Sequence, residues 1–447
     1  MNNIISLDKE KRYKYSSIHK SLIYWPHKED YELENSNYSY YKEALLNLYE
    51  TSTDDEEISF IDVSPQMIQN AFGLTNQVIF EVTERCNLSC EYCALGETYN
   101  NVSARRYKNM EWQTAKTVLD FYITKWNNIT PRNFKKYFYI GFHGGEPLLN
   151  MPLVQRIIDY IEENVSHINF LYSMTTNGTL LNKHIEYLVE KNFLLNISMD
   201  GDMKMNSYRI YNNGNEIYND LFSNLKKIQT KYPGFFKENV EFISVQNNRN
   251  TDEGILTYFD KEFGKTSEIH PLSSSMIANY DKWNSMRRKN EEIEGEESFN
   301  DNLFEYMRLF SGNFYTNYRS LLDTSRKEFT PTGTCIPFSL RVFVTVRKTI
   351  LSCERVGFDT VLGKVTDGGV EIDYEKIANL YNNIFDKFKS QCKNCYKKES
   401  CVICFLLDKR YFEENFTCEN YYPIGQLKKC IEESLSALRK KEIPTNI

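Results

Sequence analysis

Several features are missing from this 447-residue chain. No apolar run approaches the roughly 20 residues that cross a bilayer, so no membrane-spanning helix is expected. The start, Met1-Asn2-Asn3-Ile4-Ile5-Ser6, lacks a basic stretch followed by a long apolar core. No secretory signal is therefore expected, and the cytoplasm is the default compartment. Positive charge is not in excess: 54 Lys and Arg face 61 Asp and Glu, for a formal net charge of -7. Bulk electrostatics thus gives no argument for nucleic acid as a partner. No internal repeat at a solenoid period is visible.

The residues that are present describe a soluble globular protein, 41% hydrophobic and 26% charged. Its length calls for two or three domains. Tyr and Phe make up nearly all of a 14% aromatic share, which fits either an A/T-rich coding genome or surfaces that grip peptides. There are eleven cysteines. In a cytoplasmic protein disulfides are disfavoured, and such cysteines are more often metal ligands.

Residues 1–76 read as a small α+β module. Tyr13-Lys14-Tyr15-Ser16 and Ser21-Leu22-Ile23-Tyr24-Trp25 look like strands, residues 40–49 like a helix, and Ser64-Pro65 like the start of another. The plain reading is a structural extension; the sharper one is a peptide-docking module with an exposed sheet edge. From 77 to about 275, strand and helix patterns alternate. Strands are expected at 77–83, 136–143, 168–175, 193–199, 240–246 and 266–271. Helices are expected near 111–127, 150–165, 181–191, 215–230 and 252–263. Such alternation predicts an α/β fold with a parallel sheet, a partial (β/α)6 TIM-like barrel whose ligands sit at the C-terminal strand ends. The charged stretch from Arg287 to Asn302 reads as solvated and leads into a helix near 303–322. From about 326 short strands (341–346) and cysteine-bearing loops take over, closed by a helix near 424–441. The domains expected are 1–76, 77–325 and 326–447.

Just after the first of those core strands lies Cys86-Asn87-Leu88-Ser89-Cys90-Glu91-Tyr92-Cys93. Three cysteines cannot close a structural tetrahedral zinc site alone. They can hold three irons of a four-iron cluster and leave the fourth iron free. Buried or incidental thiols are the plain alternative, but this spacing in a polar loop argues for the cluster. Three more motifs fall at strand ends. Gly144-Gly145-Glu146-Pro147 lets a ligand approach the backbone and offers a carboxylate to an ammonium group, although any βα turn uses glycines. Thr175-Thr176-Asn177-Gly178 is also an ordinary turn signal. Ser198 and Asp200 share one strand face and suit a ribose or an amino-acid head group, or else a helix cap.

Together these residues resemble the radical S-adenosylmethionine (SAM) superfamily. The triad is similar to its C-x3-C-x2-C motif, with Tyr92 at the usual aromatic position, and Gly144-Gly145-Glu146 to its methionine-amine motif. Asn177, Ser198 and Asp200 match later motifs near the cofactor. Arg209 stands where relatives carry an arginine in an HD…R stretch, although Met205-Asn206 replaces His-Asp. The resemblance implies that the open iron chelates SAM, and that an electron cleaves it to a 5′-deoxyadenosyl radical that abstracts a substrate hydrogen. An external electron donor such as flavodoxin or ferredoxin is then implied.

At the other end, Cys392-x2-Cys395-x5-Cys401-x2-Cys404, with Cys418 fourteen residues later, resembles a SPASM domain. A pair of zinc sites is the alternative for those cysteines alone. The resemblance implies two auxiliary clusters, hence three four-iron (4Fe-4S) clusters in all. One would take Cys392, Cys395, Cys401 and Cys418. The other would take Cys335, Cys353 and Cys404, with an open iron or with Cys430. The final C-x2-C replaces the usual C-x3-C, and the customary glycine before Cys353 is absent. The function implied is maturation of a ribosomally made precursor peptide (RiPP), by thioether or carbon–carbon cross-linking or by epimerisation. An anaerobic sulfatase-maturing enzyme, which makes formylglycine, shares every motif. A non-catalytic zinc protein is the rival from another class. No substrate-side acid or base stands out among the many strand-end candidates.

Overall fold

The computed structural model describes residues 4–6, 13–16, 21–24, 59–99, 107–128, 137–273, 277–288, 328–395 and 401–423. The helices expected at 40–49, 303–322 and 424–441 lie outside the described residues, as does Cys430. Packing divides the described chain into two compact units. One holds residues within 64–293 and 336–377; the other holds those within 1–63, 294–335 and 378–447.

In chain order, β1 (Ile4–Ser6), β2 (Tyr13–Ser16) and β3 (Ser21–Tyr24) form a three-stranded antiparallel sheet in the second unit. The short β4 (Ser59–Phe60) follows. α1 (Pro65–Gly73) opens the first unit. The Ser64 hydroxyl caps it by accepting from the Met67 amide at 3.2 Å, and Pro65 sits where a missing N–H costs nothing. The core then runs β5 (Gln77–Thr83), α2 (Trp112–Asn127), β6 (Phe138–Gly144), α3 (Met151–Asn164), β7 (Phe170–Thr176), α4 (Leu181–Glu190), β8 (Leu194–Ser198), α5 (Tyr218–Lys231), α6 (Pro233–Asn239), β9 (Val240–Val245), α7 (Asp252–Phe263), β10 (Ser267–His270) and α8 (Tyr280–Met286). After β11 (Glu328–Phe329), which pairs with β4, come β12 (Val342–Val344), β13 (Thr349–Leu351), β14 (Gly363–Thr366), β15 (Gly369–Ile372) and the 20-residue α9 (Tyr374–Lys393).

The six strands β5 to β10 pair in chain order and all in parallel. β12 adds to the other side of β5, also parallel, and β13, β14 and β15 continue antiparallel. Among the described residues the sheet is open, since β10 and β15 end its strand order. Residues 64–76 and 336–377 therefore pack with the parallel core: Phe72 of α1 lies 5.2 Å from Phe121 and 4.9 Å from Phe338, ring to ring.

Each core helix turns an apolar stripe at helical spacing onto the sheet, as Val118, Leu119, Tyr122 and Trp126 of α2 do. α7 shows both ends of the helix rule: Thr251 caps it, and Gly264 stops it at φ +62°. Its Phe259 and Phe263 rings pack at a tilt against Phe242 of β9, centroids 4.5 and 5.0 Å apart. Along β7, Tyr172, Met174 and Thr176 are buried while Leu171, Ser173 and Thr175 are half-buried. β8 alternates likewise, with Asn196 and Ser198 on the more open face. A parallel strand covered on both faces is apolar throughout. This alternation means that helices cover one face, while the other stays partly open among the described residues. No helix of the described residues is long and apolar enough to cross a membrane.

At the end of β6 the chain comes unusually close to β5. The Gly145 amide donates to Thr83 O at 2.9 Å and the Glu146 amide to Arg85 O at 2.8 Å. Gly144 holds φ +141°, and a Cβ there would lie 2.0 Å from Thr83 O; one on Gly145 would lie 2.2 Å from Arg85 O. The obstacles are backbone atoms, which cannot rotate away. Gly145→Ala should therefore lower the thermal unfolding midpoint markedly. Gly234→Ala in α6, where nothing lies within 4 Å, should be neutral or stabilising by up to about 1 kcal/mol. Equal midpoints for the two variants in thermal scans would show that this close approach is not obligatory.

Candidate active site

β5 delivers the chain into the cysteine loop. The Thr83 hydroxyl donates to Asn109 Oδ1 at 2.6 Å and accepts from the Arg85 amide, turning the backbone out of the sheet. The loop is then strapped by the segment after β8. Ser89 donates to Ile210 O, Glu91 to Tyr208 O, and Asn212 to Asn87 O, at 2.8–3.2 Å. Within the loop the Cys93 amide bonds Cys90 O and the Gly96 amide bonds Cys93 O. All three thiols are half-buried. Cys86 Sγ faces the Leu88 amide at 3.4 Å and Asn177 Nδ2 at 3.9 Å. Burial pushes the Cys90 thiol up to about 12; Arg209 opposes this, and Cys93, Cys86 and Asp200 add to it. Cys90 thus feels both other cysteines of the triad. Among the described residues, no three His, Cys, Asp or Glu side chains converge on one ion-sized point. A four-iron cluster asks for something different, one thiolate for each of three irons, and three neighbouring thiols with amide donors at Cys86 fit that demand.

Glu146 is wholly buried. Its Oε1 accepts from Thr176 Oγ1 at 2.7 Å and the Leu148 amide at 3.1 Å, and its Oε2 from the Asn177 amide at 2.8 Å. The carboxylate therefore bolts the end of β6 to the end of β7. Asn177 extends the connection: its Nδ2 donates to Asn87 Oδ1 at 3.0 Å, and Asn87 in turn donates to Thr179 Oγ1 at 2.8 Å. Gly178, at φ +73°, leaves no room for a side chain beside Leu221.

At the end of β8, Ser198 is half-buried on the open face, and no hydrogen bond from its hydroxyl is found among the described residues. Asp200 is the opposite case, with no exposed surface. It takes a two-pronged pair from Arg209, Nε to Oδ2 at 3.1 Å and Nη2 to Oδ1 at 3.0 Å. The Val245 amide adds a bond to Oδ1 at 2.9 Å, and the Tyr92 hydroxyl donates to Oδ2. The Arg209 guanidinium also lies 5.3 Å from the Tyr92 ring centre. Burial, offset by Arg209, drives the Tyr92 phenol well above its usual range, so it stays protonated and donates. Asn206, in the stretch where Met205-Asn206 replaces His-Asp, accepts from the Asp200 amide at 3.1 Å.

The C-terminal cysteines divide between the two units. Cys392, Cys395, Cys401 and Cys418 all lie in the second. Burial raises the Cys392 thiol to about 11; the Thr332 amide opposes this, and Cys401, Cys395 and Cys418 add to it. Cys392 thus feels the charge of the other three. Tyr411 donates to Cys418 Sγ at 3.2 Å and the Thr332 amide to Cys392 Sγ at 3.4 Å. Cys404 feels Cys335 in the same unit, behind burial and several donors. Cys353 is in the first unit. There it donates to Glu354 Oε2 at 3.3 Å, and Arg341 pairs with Glu354 at 2.5 Å.

Two elements beside these cysteines escaped the sequence reading. Thr332-Gly333-Thr334 forms a tight clasp: a Cβ on Gly333 would lie 2.0 Å from Cys401 O, and Thr334 Oγ1 accepts from the Phe405 amide at 3.0 Å. Only the glycine between two threonines marked it. Glu81 and Glu84, both buried in or beside β5, hold the turn after β12; Glu81 accepts from the Val346 amide and Glu84 pairs with Arg347 at 2.9 Å. Two carboxylates in an apolar strand were the available signal.

Burial lifts the Glu146 carboxyl from its usual 4.5 to about 7, against the pull of its three donors. A carboxyl raised on folding favours its protonated form there. Its contribution to stability is complete below pH 4.5 and is lost as pH rises to about 7. In denaturant titrations across that window, the parent should lose stability relative to Glu146→Gln as pH increases. The gap should then be flat above it; a constant gap from pH 4 upward would contradict the shift.

Residues 80–240 match the family model for the radical SAM superfamily. Among curated proteins, an uncharacterized protein of Methanocaldococcus jannaschii is 38% identical over 138 residues, 31% of this chain and 43% of that one. A cysteine-type anaerobic sulfatase-maturating enzyme of Clostridium novyi is 27% identical over 191 residues, covering 42% of this chain and 48% of its own. The radical SAM cyclopropyl synthase TigE of Paramaledivibacter caminithermalis is 26% identical over 216 residues, 45% of each chain. The chain thus spans less than half the length of these relatives. Among solved structures, anSMEcpe with bound AdoMet and the Cp18Cys peptide shares the fold at a TM-score of 0.52 and 17% identity, covering 81% of this chain and 97% of that one. The parallel strands β6 to β8 and the cysteine loop that follows β5 lie within residues 80–240, the part of the chain that matches the radical SAM superfamily model.

Proposed function

We propose that this protein is a radical SAM enzyme that modifies a peptide, a maturase of ribosomally made precursors. The observation that carries the reading is the cysteine loop itself: three neighbouring thiols at the ends of parallel strands, beside a sheet face left partly open. Cys86, Cys90 and Cys93 would hold a four-iron cluster. When loaded, that cluster would supply the electron that cleaves SAM, and the resulting radical would take a hydrogen from the peptide.

This chain's own residues then have separable tasks. The glycines 144 and 145 bring the β6 turn against the loop, and Glu146 and Asn177 lock two strand ends around Cys86. Ser198, with its hydroxyl uncommitted on the open face, is the group best placed to bind a polar part of SAM. Cys392, Cys395, Cys401 and Cys418, all in one unit, would hold an auxiliary cluster in a SPASM-type region. The donors from Thr332 and Tyr411 would temper it. Among the described residues β1 and β3 are the edges of the antiparallel sheet β1–β2–β3, and an extended leader peptide would add to one of them. The relatives' printed activities support peptide chemistry: one matures sulfatases, and the fold is shared with a structure holding a peptide. That same observation favours formylglycine formation as the second reading. A soluble, cytoplasmic enzyme served by a flavodoxin or ferredoxin completes the proposal.

Anaerobically purified protein should be brown, with about four irons per cluster. It should release methionine from SAM on reduction. Replacing Cys86, Cys90 and Cys93 together by alanine should abolish that release while most of the remaining iron is kept. Colourless, zinc-rich protein would sink the reading. With a peptide encoded beside the gene, loss of two hydrogens in the mass spectrum marks a cross-link. Deuterium uptake at constant composition marks epimerisation, and a new hydrazide-reactive aldehyde at a cysteine marks the sulfatase-type reaction.

A further inference from the structure

Tyr92, Asp200 and Arg209 are at most 7% exposed. An ionised carboxylate offers about four lone-pair positions. Those of Asp200 meet four donors: Arg209 Nε, Arg209 Nη2, the Val245 amide and the Tyr92 hydroxyl. No acceptor capacity is left for a ribose or an ammonium group. Arg209 belongs to the same 208–212 segment whose backbone bonds the cysteine loop at residues 87, 89 and 91. Tyr92 lies in the loop between Cys90 and Cys93. Side chains and backbone therefore join the end of β8, the strap and the loop into one unit.

We infer that Asp200, Arg209 and Tyr92 are positioning residues that clamp the cysteine loop, and that the Asp200–Arg209 pair sets the charge beside Cys90. The inference rests on the proposed cluster at Cys86, Cys90 and Cys93. A neutral, paired clamp balances its own field. Removing one partner leaves a single buried charge near the ligand, where low dielectric strengthens its effect. Cluster potentials follow local net charge and hydrogen bonding to sulfur. The two halves of the pair should thus push the potential in opposite directions, whereas a merely structural lesion would not change sign between variants.

The test is an EPR-monitored redox titration of the reconstituted full-length enzyme without SAM. It follows the signal that disappears when Cys86, Cys90 and Cys93 are all replaced by alanine. Arg209→Met should lower the midpoint potential and Asp200→Asn should raise it. Arg209→Lys, which keeps the charge but loses the fork, should hold the potential and release iron to a chelator faster than the parent. Tyr92→Phe should behave like Arg209→Lys. If Arg209→Met retains no iron while its circular dichroism is unchanged, the clamp stands, and the sign of the Asp200→Asn shift decides the charge effect. Unchanged SAM-free potentials with weakened SAM binding would overturn the inference in favour of direct contact with SAM. Shifts of the same sign in Arg209→Met and Asp200→Asn would overturn it as general disturbance. Persistence of the signal in the triple alanine variant would instead sink the cluster assignment itself.

Discussion

A loop without helix or strand cannot hold three thiols in place by its own backbone, and here the ends of neighbouring strands do it. The hydrogen bonds inside the stretch 86–96 close only short turns. Its shape comes from outside: two amides of the β6 turn against Thr83 and Arg85, Asn177 against Asn87, and the 208–212 strap. Each support is a polar group that would be costly to bury alone. Glu146 and Asp200, both wholly buried, make the point most clearly, since each carboxylate meets three or four donors. Removing one partner of a buried pair such as Asp200–Arg209 typically costs about 3–5 kcal/mol. The loop is thus tied to interactions that resist rearrangement.

The sheet explains why such a loop sits where it does. Alternating burial along β7, β8 and β9 leaves one face of the parallel sheet half-covered. Chemistry in open parallel folds gathers where strands end and their loops meet. The strand that delivers the cysteines is not an edge: β6 flanks β5 on one side and β12 on the other. Two buried carboxylates, Glu81 and Glu84, fasten the turn beyond β12 back to it. The β5 terminus is therefore constrained laterally from both directions, and the cysteine loop inherits that rigidity.

Much of this could be read from the residues, and what could not has a physical reason. The core strands and helices lie within a few residues of the positions that periodicity predicts, because an amphipathic stripe and a β-branched run are local signals. α6, α8 and α9 went unread, α8 being, like α6, only seven residues long. α6 is one short helix opened by Pro233, and α9 lies in a stretch dominated by its neighbouring cysteines. The hairpin β14–β15 did carry a cue in Asp367-Gly368-Gly369, with Gly369 at φ +129°. In the site, the strand-end glycines and Asn177 were visible as turn chemistry, and Ser198 as a polar residue on one strand face. Their partners were not. Tyr92 and Asp200 are 108 positions apart, and only the packed sheet brings a phenol and a carboxylate together over that distance. A motif marks where a polar residue stands, and the fold decides whether it faces a ligand or another side chain.

Cys90, Cys353 and Cys392 each meet the same kind of surroundings, and these bear on the charge the thiols carry in the folded chain. Burial pushes the Cys90 and Cys353 thiols up to about 12 and that of Cys392 to about 11. At neutral pH these groups are neutral thiols. Four neighbouring thiolates would repel one another and would each require solvation that half-buried sites do not provide. Protonated, they pack as small apolar side chains with weak donors and acceptors. The amide of Thr332, the hydroxyl of Tyr411 and the amide of Leu88 already point at three of the sulfurs. Those donors have little to bond in a thiol and far more in a thiolate. Donors that suit a thiolate are thus already in place at these three sulfurs.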